Sequence, residues 1–344
     1  DDRRVEFVQR DGVVSIAGRP EGAGKPGGGE TAQPTQGVPT GIDRVDAEGK
    51  VPAVQVDVAV IDTGVDLDHP DLNVNTADAK NCSTARSVDD GNGHGTHVAG
   101  TIGALDDGKG VVGVAPGARI WPVRVLNNAG SGTFSSIICG IDWVTASAKG
   151  ELKLDQQVDV ANMSLGGSGS ENSCGTDKDA MHEAICLSVG SGVTYAVAAG
   201  NSAVDAMNSV PATYDEVITV SALADFDGAP GGSATGTFCR ADEDDTFANF
   251  SNYGADVDLI APGVCINSTW KGGGYKTISG TSMASPHVAG GAALYKAKTP
   301  TADPAAVKSA LQASGTKDWD GNPGTANVGD GDSVSEPLLN VSTY

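Results

Sequence analysis

Val56-Asp57-Val58-Ala59-Val60-Ile61-Asp62-Thr63-Gly64 is the stretch that decides the fold. It is a short, nearly continuous apolar run rich in β-branched residues, and it ends in a carboxylate and a glycine. A strand that is apolar on both faces is buried on both faces, as a central parallel strand is. Similar runs recur at 120–126, 158–163, 193–199, 217–220 and 257–260, with helix-patterned segments at 134–148 and 179–189 among them. Strands alternating with helices predict an α/β fold, a mainly parallel sheet covered by helices on both faces. Right-handed crossovers then bring the strand ends carrying Asp62, Ser164 and Asn201 to one edge. Open α/β sheets place their sites at the carboxyl ends of strands, so Asp62 is a candidate functional acid, although a lone Asp there more often caps a helix or a turn.

Two glycine-rich turns each feed an apolar helix. Asp90-Gly91-Asn92-Gly93-His94-Gly95-Thr96-His97-Val98-Ala99-Gly100-Thr101 puts His94 in the turn and His97 one turn inside the helix. Gly280-Thr281-Ser282-Met283-Ala284-Ser285-Pro286-His287 puts Ser282 at the start of an Ala-rich helix, where unpaired N–H groups and the positive end of the helix dipole face outward. A serine there also serves as an N-cap. As a nucleophile it needs an imidazole to take its proton and a carboxylate to hold that imidazole's tautomer. Of the five histidines, His94 suits the base, His97 suits packing, and His69, His182 and His287 read as surface or packing residues.

In the chain order Asp62, His94, Ser282 the sequence resembles the subtilase family of serine endopeptidases. The resemblance is carried by Asp62-Thr63-Gly64-Val65-Asp66, His69-Pro70-Asp71-Leu72, Gly93 to Thr101, Ser164-Leu165-Gly166-Gly167, Ala198-Ala199-Gly200-Asn201, Phe250-Ser251, Ala261-Pro262-Gly263 and the serine stretch, in the family's order over residues 36 to 315. It implies a secreted endopeptidase acting on proteins and peptides, with Asn201 and the Ser282 N–H stabilising the oxyanion. Ser164, Leu165 and Gly166 would form an edge that pairs with substrate as an added strand, and Ala199 and Gly200 the opposite wall of the pocket before the scissile bond. No acid stands in either wall, which predicts apolar or aromatic preference. The rival readings are an inactive peptide-binding relative, and an esterase or peptide ligase using the same three residues.

The resemblance also implies structural calcium. Its ligands would be Gln36, Asp71 and Asp107 with the carbonyls of Leu105, Lys109 and Val111, a mixed oxygen set of the kind calcium takes. A second, weaker cation site would use Ala212, Tyr214, Val217 and Asp258. A propeptide acting as chaperone and inhibitor is a further implied partner, and Val5-Glu6-Phe7-Val8 resembles its last strand. Residues 1–17 alternate around Asp11-Gly12 as a strand or small hairpin, and 18–29 hold six glycines and two prolines, a linker. The division expected is therefore 1–34 as propeptide remnant plus linker and 35–344 as one catalytic domain. A simple N-terminal extension of the mature enzyme is the alternative.

Composition sets outer bounds. With 344 residues, 39% hydrophobic and 19% charged, the chain suits one large globular domain and a monomer. No apolar run reaches the roughly 18 residues of a membrane span, and no signal peptide opens the chain. A formal charge of −22 disfavours nucleic acid and anionic membranes as partners. Six cysteines without zinc spacing suggest three disulfides and an oxidising compartment, with six buried thiols as the alternative. The preferred pairs are Cys174–Cys186, closing a short loop, Cys239–Cys265, tying an acidic insertion to the segment after Pro262, and Cys82–Cys139 by remainder. Asp303-Pro304 opens a last helix, and Asp318, Asp320, Asp330 and Asp332 in the tail read as solvated acids rather than a weak metal site.

Overall fold

The computed structural model describes residues 7–17, 33–49, 54–152, 154, 156–170, 174–175, 179–236, 238–319 and 335–344. The first half runs β1 (Val13–Ile16), α1 (Thr40–Arg44), β2 (Asp57–Asp62), β3 (Lys80–Asn81), α2 (His94–Gly103), β4 (Arg119–Arg124), β5 (Ser131–Thr133), α3 (Phe134–Ala148), β6 (Val160–Met163) and β7 (Leu165–Ser168). The second runs α4 (Ala180–Val189), β8 (Thr194–Ala198), β9 (Ser209–Val210), β10 (Ile218–Ala224), β11 (Thr246–Phe247), β12 (Leu259–Pro262), β13 (Ile266–Trp270), β14 (Gly274–Ile278), α5 (Thr281–Lys298) and α6 (Pro304–Ser314).

The eight-stranded sheet has the order β11-β10-β8-β6-β2-β4-β3, with β12 also paired to β10. All of its pairings except β10–β11 are parallel. Every residue of β2 is buried. Its side chains alternate between two cores: Val58 and Val60 face the cluster containing α2 and α5, while Ala59 and Ile61 face the one containing α3 and α4. This two-sided burial is why the strand lacks polar alternation. The acid that opens it, Asp57, is also buried, and its Oδ1 accepts from Trp121 Nε1 and Arg119 Nε at 2.5 Å each. The carboxyl ends of β2, β6 and β8 lie side by side, so Asp62, Ser164 and Asn201 reach one edge as parallel topology requires.

The N-terminal segment departs from a local hairpin. Phe7 to Gly12 carry no strand, and Val5 and Glu6 lie outside the described residues, as does the linker at 18–29. Among the described residues of this segment only Val13–Ile16 is a strand, and its partners are remote. It is inserted between β5 and β7 in a four-stranded sheet of order β5-β1-β7-β9. The disulfides are Cys82–Cys139, Cys174–Cys186 and Cys239–Cys265. In the tail, Asp318 is exposed, as a solvated acid is, and also accepts from the buried Arg44 and from Thr316; Asp320, Asp330 and Asp332 lie outside the described residues.

Candidate active site

Asp62 closes β2 and His94 opens α2, and the two meet although 32 residues separate them: His94 Nδ1 lies 2.9 and 3.0 Å from the Asp62 carboxylate oxygens. The contact depends on backbone approach. A Cβ on Gly95 would lie 2.1 Å from the Gly64 carbonyl oxygen, and one on Gly93, at φ 111°, would lie 2.3 Å from the Trp270 ring. Gly95 lets the first turn of α2 rest on the end of β2, and Gly93 lets it pack against Trp270 of β13.

Two residues not singled out from the sequence build this turn. Asp90, buried, accepts from Gly93 N–H, Asn92 N–H and the Thr63 hydroxyl through Oδ1, and from Thr96 N–H and Oγ1 through Oδ2. Burial raises its pKa, and the bonds from the turn oppose that. Thr63 Oγ1 in turn accepts the Gly95 N–H at 3.0 Å. An Asp three residues before Gly93 is a local signal for such a turn. His97 packs as expected: it is fully buried, with Nε2 3.0 Å from the carbonyls of Ile266 and Lys276, and burial lowers its pKa to about 3. His69, His182 and His287 are also buried, so none is a surface residue.

Ser282 stands in the first turn of α5, a helix buried along most of its length against β6, β8, β10 and β12. Pro286 cannot donate to the Ser282 carbonyl four residues back, which would orphan a buried acceptor. Ser164 Oγ donates to that carbonyl instead, at 2.8 Å. Ser164 therefore ties the end of β6 to the helix start, a role its sequence context does not reveal. The Ser282 hydroxyl donates to the Ser164 carbonyl at 3.2 Å. Asn201 follows β8, and its Oδ1 accepts from Thr281 N–H and Oγ1 at 2.8 and 2.9 Å. That fixes the direction of the amide nitrogen. A Cβ on Gly280 would lie 3.2 Å from Asn201 Nδ2 and 3.6 Å from Ser282 N, so the two donors flank one spot.

The cleft beside them holds the chain's own N-terminal strand. Ser15 pairs with Gly166 and Ile16 with Leu165 on one side, and Val13, Val14 and Ser15 pair with Thr133, Gly132 and Ser131 on the other. Ile16 N–H donates to the Gly130 carbonyl at 2.9 Å. Val14 is 1% exposed and joins the core cluster with Leu126, Ile137 and Leu165, whereas Val13 is 73% exposed. The strand ends with the Ala17 carbonyl accepting from Asn201 Nδ2 at 2.6 Å. Ala199 is buried and Gly200, at φ 111°, passes its N–H to Thr281 Oγ1.

The first set of expected calcium ligands is brought together. Gln36 N–H donates to the Gly108 carbonyl and Gly37 N–H to the Gly110 carbonyl, which lays the segment before α1 along the 105–111 loop. Gln36 Oε1 accepts from Gly108 N–H at 2.7 Å, and Asp107 Oδ1 accepts from Lys109 N–H at 3.0 Å. Asp71 is fully buried beside the loop; its Oδ2 accepts from Val111 N–H, while Oδ1 is a buried oxygen with no hydrogen-bond partner. Burial pushes this carboxyl up to about 6.

The second set does not fit a metal ion. The Ala212 carbonyl accepts from Thr219 Oγ1, the Tyr214 carbonyl from Val217 N–H, and the Val217 carbonyl and Asp258 carboxylate from the ammonium of Lys308. Each expected ligand already has a donor from the protein itself.

A family model described as "Subtilase family" matches residues 54–331. Subtilisin DY of Bacillus licheniformis is 39% identical over 315 residues, covering 89% of this chain and 98% of that protein. Subtilisin NAT of Bacillus subtilis subsp. natto is 39% identical over 82% of this chain and 67% of its own length. The fold is similar to the crystal structure of a cold adapted subtilisin-like serine proteinase, with TM-score 0.66 and 34% identity, covering 88% of this chain and 97% of that one.

Proposed function

The chain belongs to the subtilase family and is a serine endopeptidase, and from that premise we propose that Ser282 is its nucleophile and that residues 1–17 are the first peptide it cuts. A turn about the Ser282 Cα–Cβ bond releases its hydroxyl from the Ser164 carbonyl toward His94 Nε2. His94 takes the proton as Oγ attacks the substrate carbonyl, and Asp62 holds the Nδ1–H tautomer and stabilises the imidazolium. Asn201 Nδ2 and the Ser282 N–H receive the oxyanion. His94 then protonates the leaving amine, and water releases the acyl group by the same steps in reverse roles.

The observation that carries this reading is the Ala17 carbonyl on Asn201 at the end of a strand paired to Leu165 and Gly166. Main-chain pairing supplies affinity without regard to sequence, as a protease of broad range needs. On this reading Ala17-Gly18 is the scissile bond, with 1–17 as propeptide remnant, 18–34 as linker and 35–344 as the catalytic domain. The small, uncharged Ala198-Ala199-Gly200 and Leu165-Gly166 walls favour apolar or aromatic residues before the cut. N-terminal sequencing of the active enzyme is expected to return Gly18, and cleavage profiling of denatured proteins to return an apolar or aromatic signature. A fully active chain that stays whole at Ala17-Gly18 would sink the first expectation, and a dominant Lys/Arg signature the second.

Secretion fits the three disulfides, which persist in oxidising compartments. Among the described residues no helix is long and apolar enough to cross a membrane.

Structural calcium fits the first ligand set because Asp71 presents a buried oxygen with no protein donor. Gln36, Asp71 and Asp107 side chains with the Leu105, Lys109 and Val111 carbonyls would hold it. A ligand bound only by the native state at a hundredfold excess over its Kd stabilises by about 2.7 kcal/mol. For a protease, local opening exposes cleavable loops, so loss of calcium is read as self-digestion. Asp107→Ala is expected to shorten the half-life in calcium buffer toward that of the wild type in chelator. Equal inactivation rates of both proteins with and without chelator would refute the site.

A further inference from the structure

We propose that Lys308 is the built-in cation of the cage formed by Asp215, Val217 and Asp258, so that this chain replaces with a covalent ammonium what would otherwise be a free monovalent ion. Lys308 Nζ lies 3.1 Å from the Asp215 carbonyl, 2.8 Å from the Val217 carbonyl and 2.8 Å from Asp258 Oδ2. An ammonium has three N–H donors, and three oxygens from three residues meet them. Two carbonyls and a carboxylate form an oxygen cage of the kind that holds metal cations. The distances are those of ordinary ammonium hydrogen bonds, and a monovalent ion of similar size could take the same oxygens.

The cage is held in place independently of its occupant. Asp258 Oδ2 also accepts the Thr219 N–H at 3.0 Å, and the Asp258 N–H donates to the Thr219 carbonyl at 2.9 Å, locking the segments that lead into β10 and β12. Gln312, one turn further along α6, reaches the other Asp258 oxygen at 3.3 Å. On α6, Val307 and Leu311 are buried in the main core, so Lys308 is delivered to the cage by packing of its own helix. The charge is only partly exposed, with 24% of the Lys308 and 14% of the Asp258 side chain accessible. Removing the ammonium leaves a largely buried carboxylate and two carbonyls facing one another. The cage sits at the entry to β10 and β12, away from the carboxyl ends of the strands that carry the active site, so its occupant acts on stability.

The test compares melting temperatures in a Ser282→Ala background, which prevents self-digestion, at fixed calcium and ionic strength, with potassium chloride exchanged for choline chloride. The chain with Lys308 intact is expected to melt at the same temperature in both salts. Lys308→Ala opens the cage, and is expected to melt several degrees lower in choline and to recover most of that loss in potassium. Lys308→Met keeps the stem without the charge, and is expected to melt low in both. Potassium stabilisation of the lysine-bearing chain equal to that of Lys308→Ala overturns the proposal. So does Lys308→Ala without a potassium response, or a Lys308→Met rescue as large as that of Lys308→Ala. If Lys308→Ala does not fold, Lys308→Ser takes its place in the same comparisons, and a lysine-bearing chain that potassium stabilises by several degrees over choline overturns the proposal by itself.

Discussion

Ser282→Ala is expected to lower kcat for peptide hydrolysis by on the order of 10⁶, the scale measured when the triad serine of subtilisin itself is removed. It should also leave the chain uncut at Ala17-Gly18. The two effects share one cause. With Oγ gone nothing attacks either an external carbonyl or that of Ala17, although Asn201 still donates to the latter. Because the strand Val13–Ile16 is paired on both edges, the uncut segment is expected to remain in the cleft. Peptide turnover and intact mass of wild type and variant check both parts. A Ser282→Ala protein that loses residues 1–17 unaided by added wild-type enzyme, or that keeps more than about a thousandth of wild-type kcat, removes Ser282 from its assigned role.

Asp62→Asn is expected to lower kcat by about 10⁴. The carboxylate faces His94 Nδ1 with both oxygens, at 2.9 and 3.0 Å, and Oδ1 also accepts the Thr63 N–H at 2.6 Å. An Asn keeps an acceptor for Thr63 and presents its amide N–H to Nδ1. That stabilises the tautomer protonated on Nε2, which cannot take a proton from Ser282, and it removes the charge that favours the imidazolium. The fold should be little disturbed, since size and one hydrogen bond are preserved. Kinetics as a function of pH, with a melting curve as control, check the expectation. A melting temperature near that of wild type with kcat within tenfold of it would mean that Asp62 does not orient the base.

The central sheet was legible because burial on both faces leaves a plain trace in β2, where Asp57–Asp62 is buried throughout and apolar at each position between its two acids. The positions of Asp62, His94 and Ser282 were legible for a related reason. Each stands at a strand end or helix start marked by glycines, and short-range backbone demands of that kind are written in adjacent residues. Asp90 was hidden among ordinary turn acids because its five bonds reach residues on both sides of the turn and on the end of β2. Ser164 was read as part of a substrate edge, and its hydroxyl's bond to the carbonyl that Pro286 leaves free joins residues 118 apart.

By itself the sequence determined the burial of the sheet on both faces and the glycine turns that set Asp62 at a strand end and His94 and Ser282 at helix starts, which follow from local periodicity and backbone sterics. Only the tertiary structure decided that Val13–Ile16 leaves its neighbours to pair with β5 and β7, and that the ammonium of Lys308 fills the oxygens of Val217 and Asp258. The physical reason is the same in both cases. An exposed strand edge accepts any extended segment, and an oxygen cage accepts any cation of suitable size, so the choice of occupant belongs to whichever remote residue the packed chain delivers there.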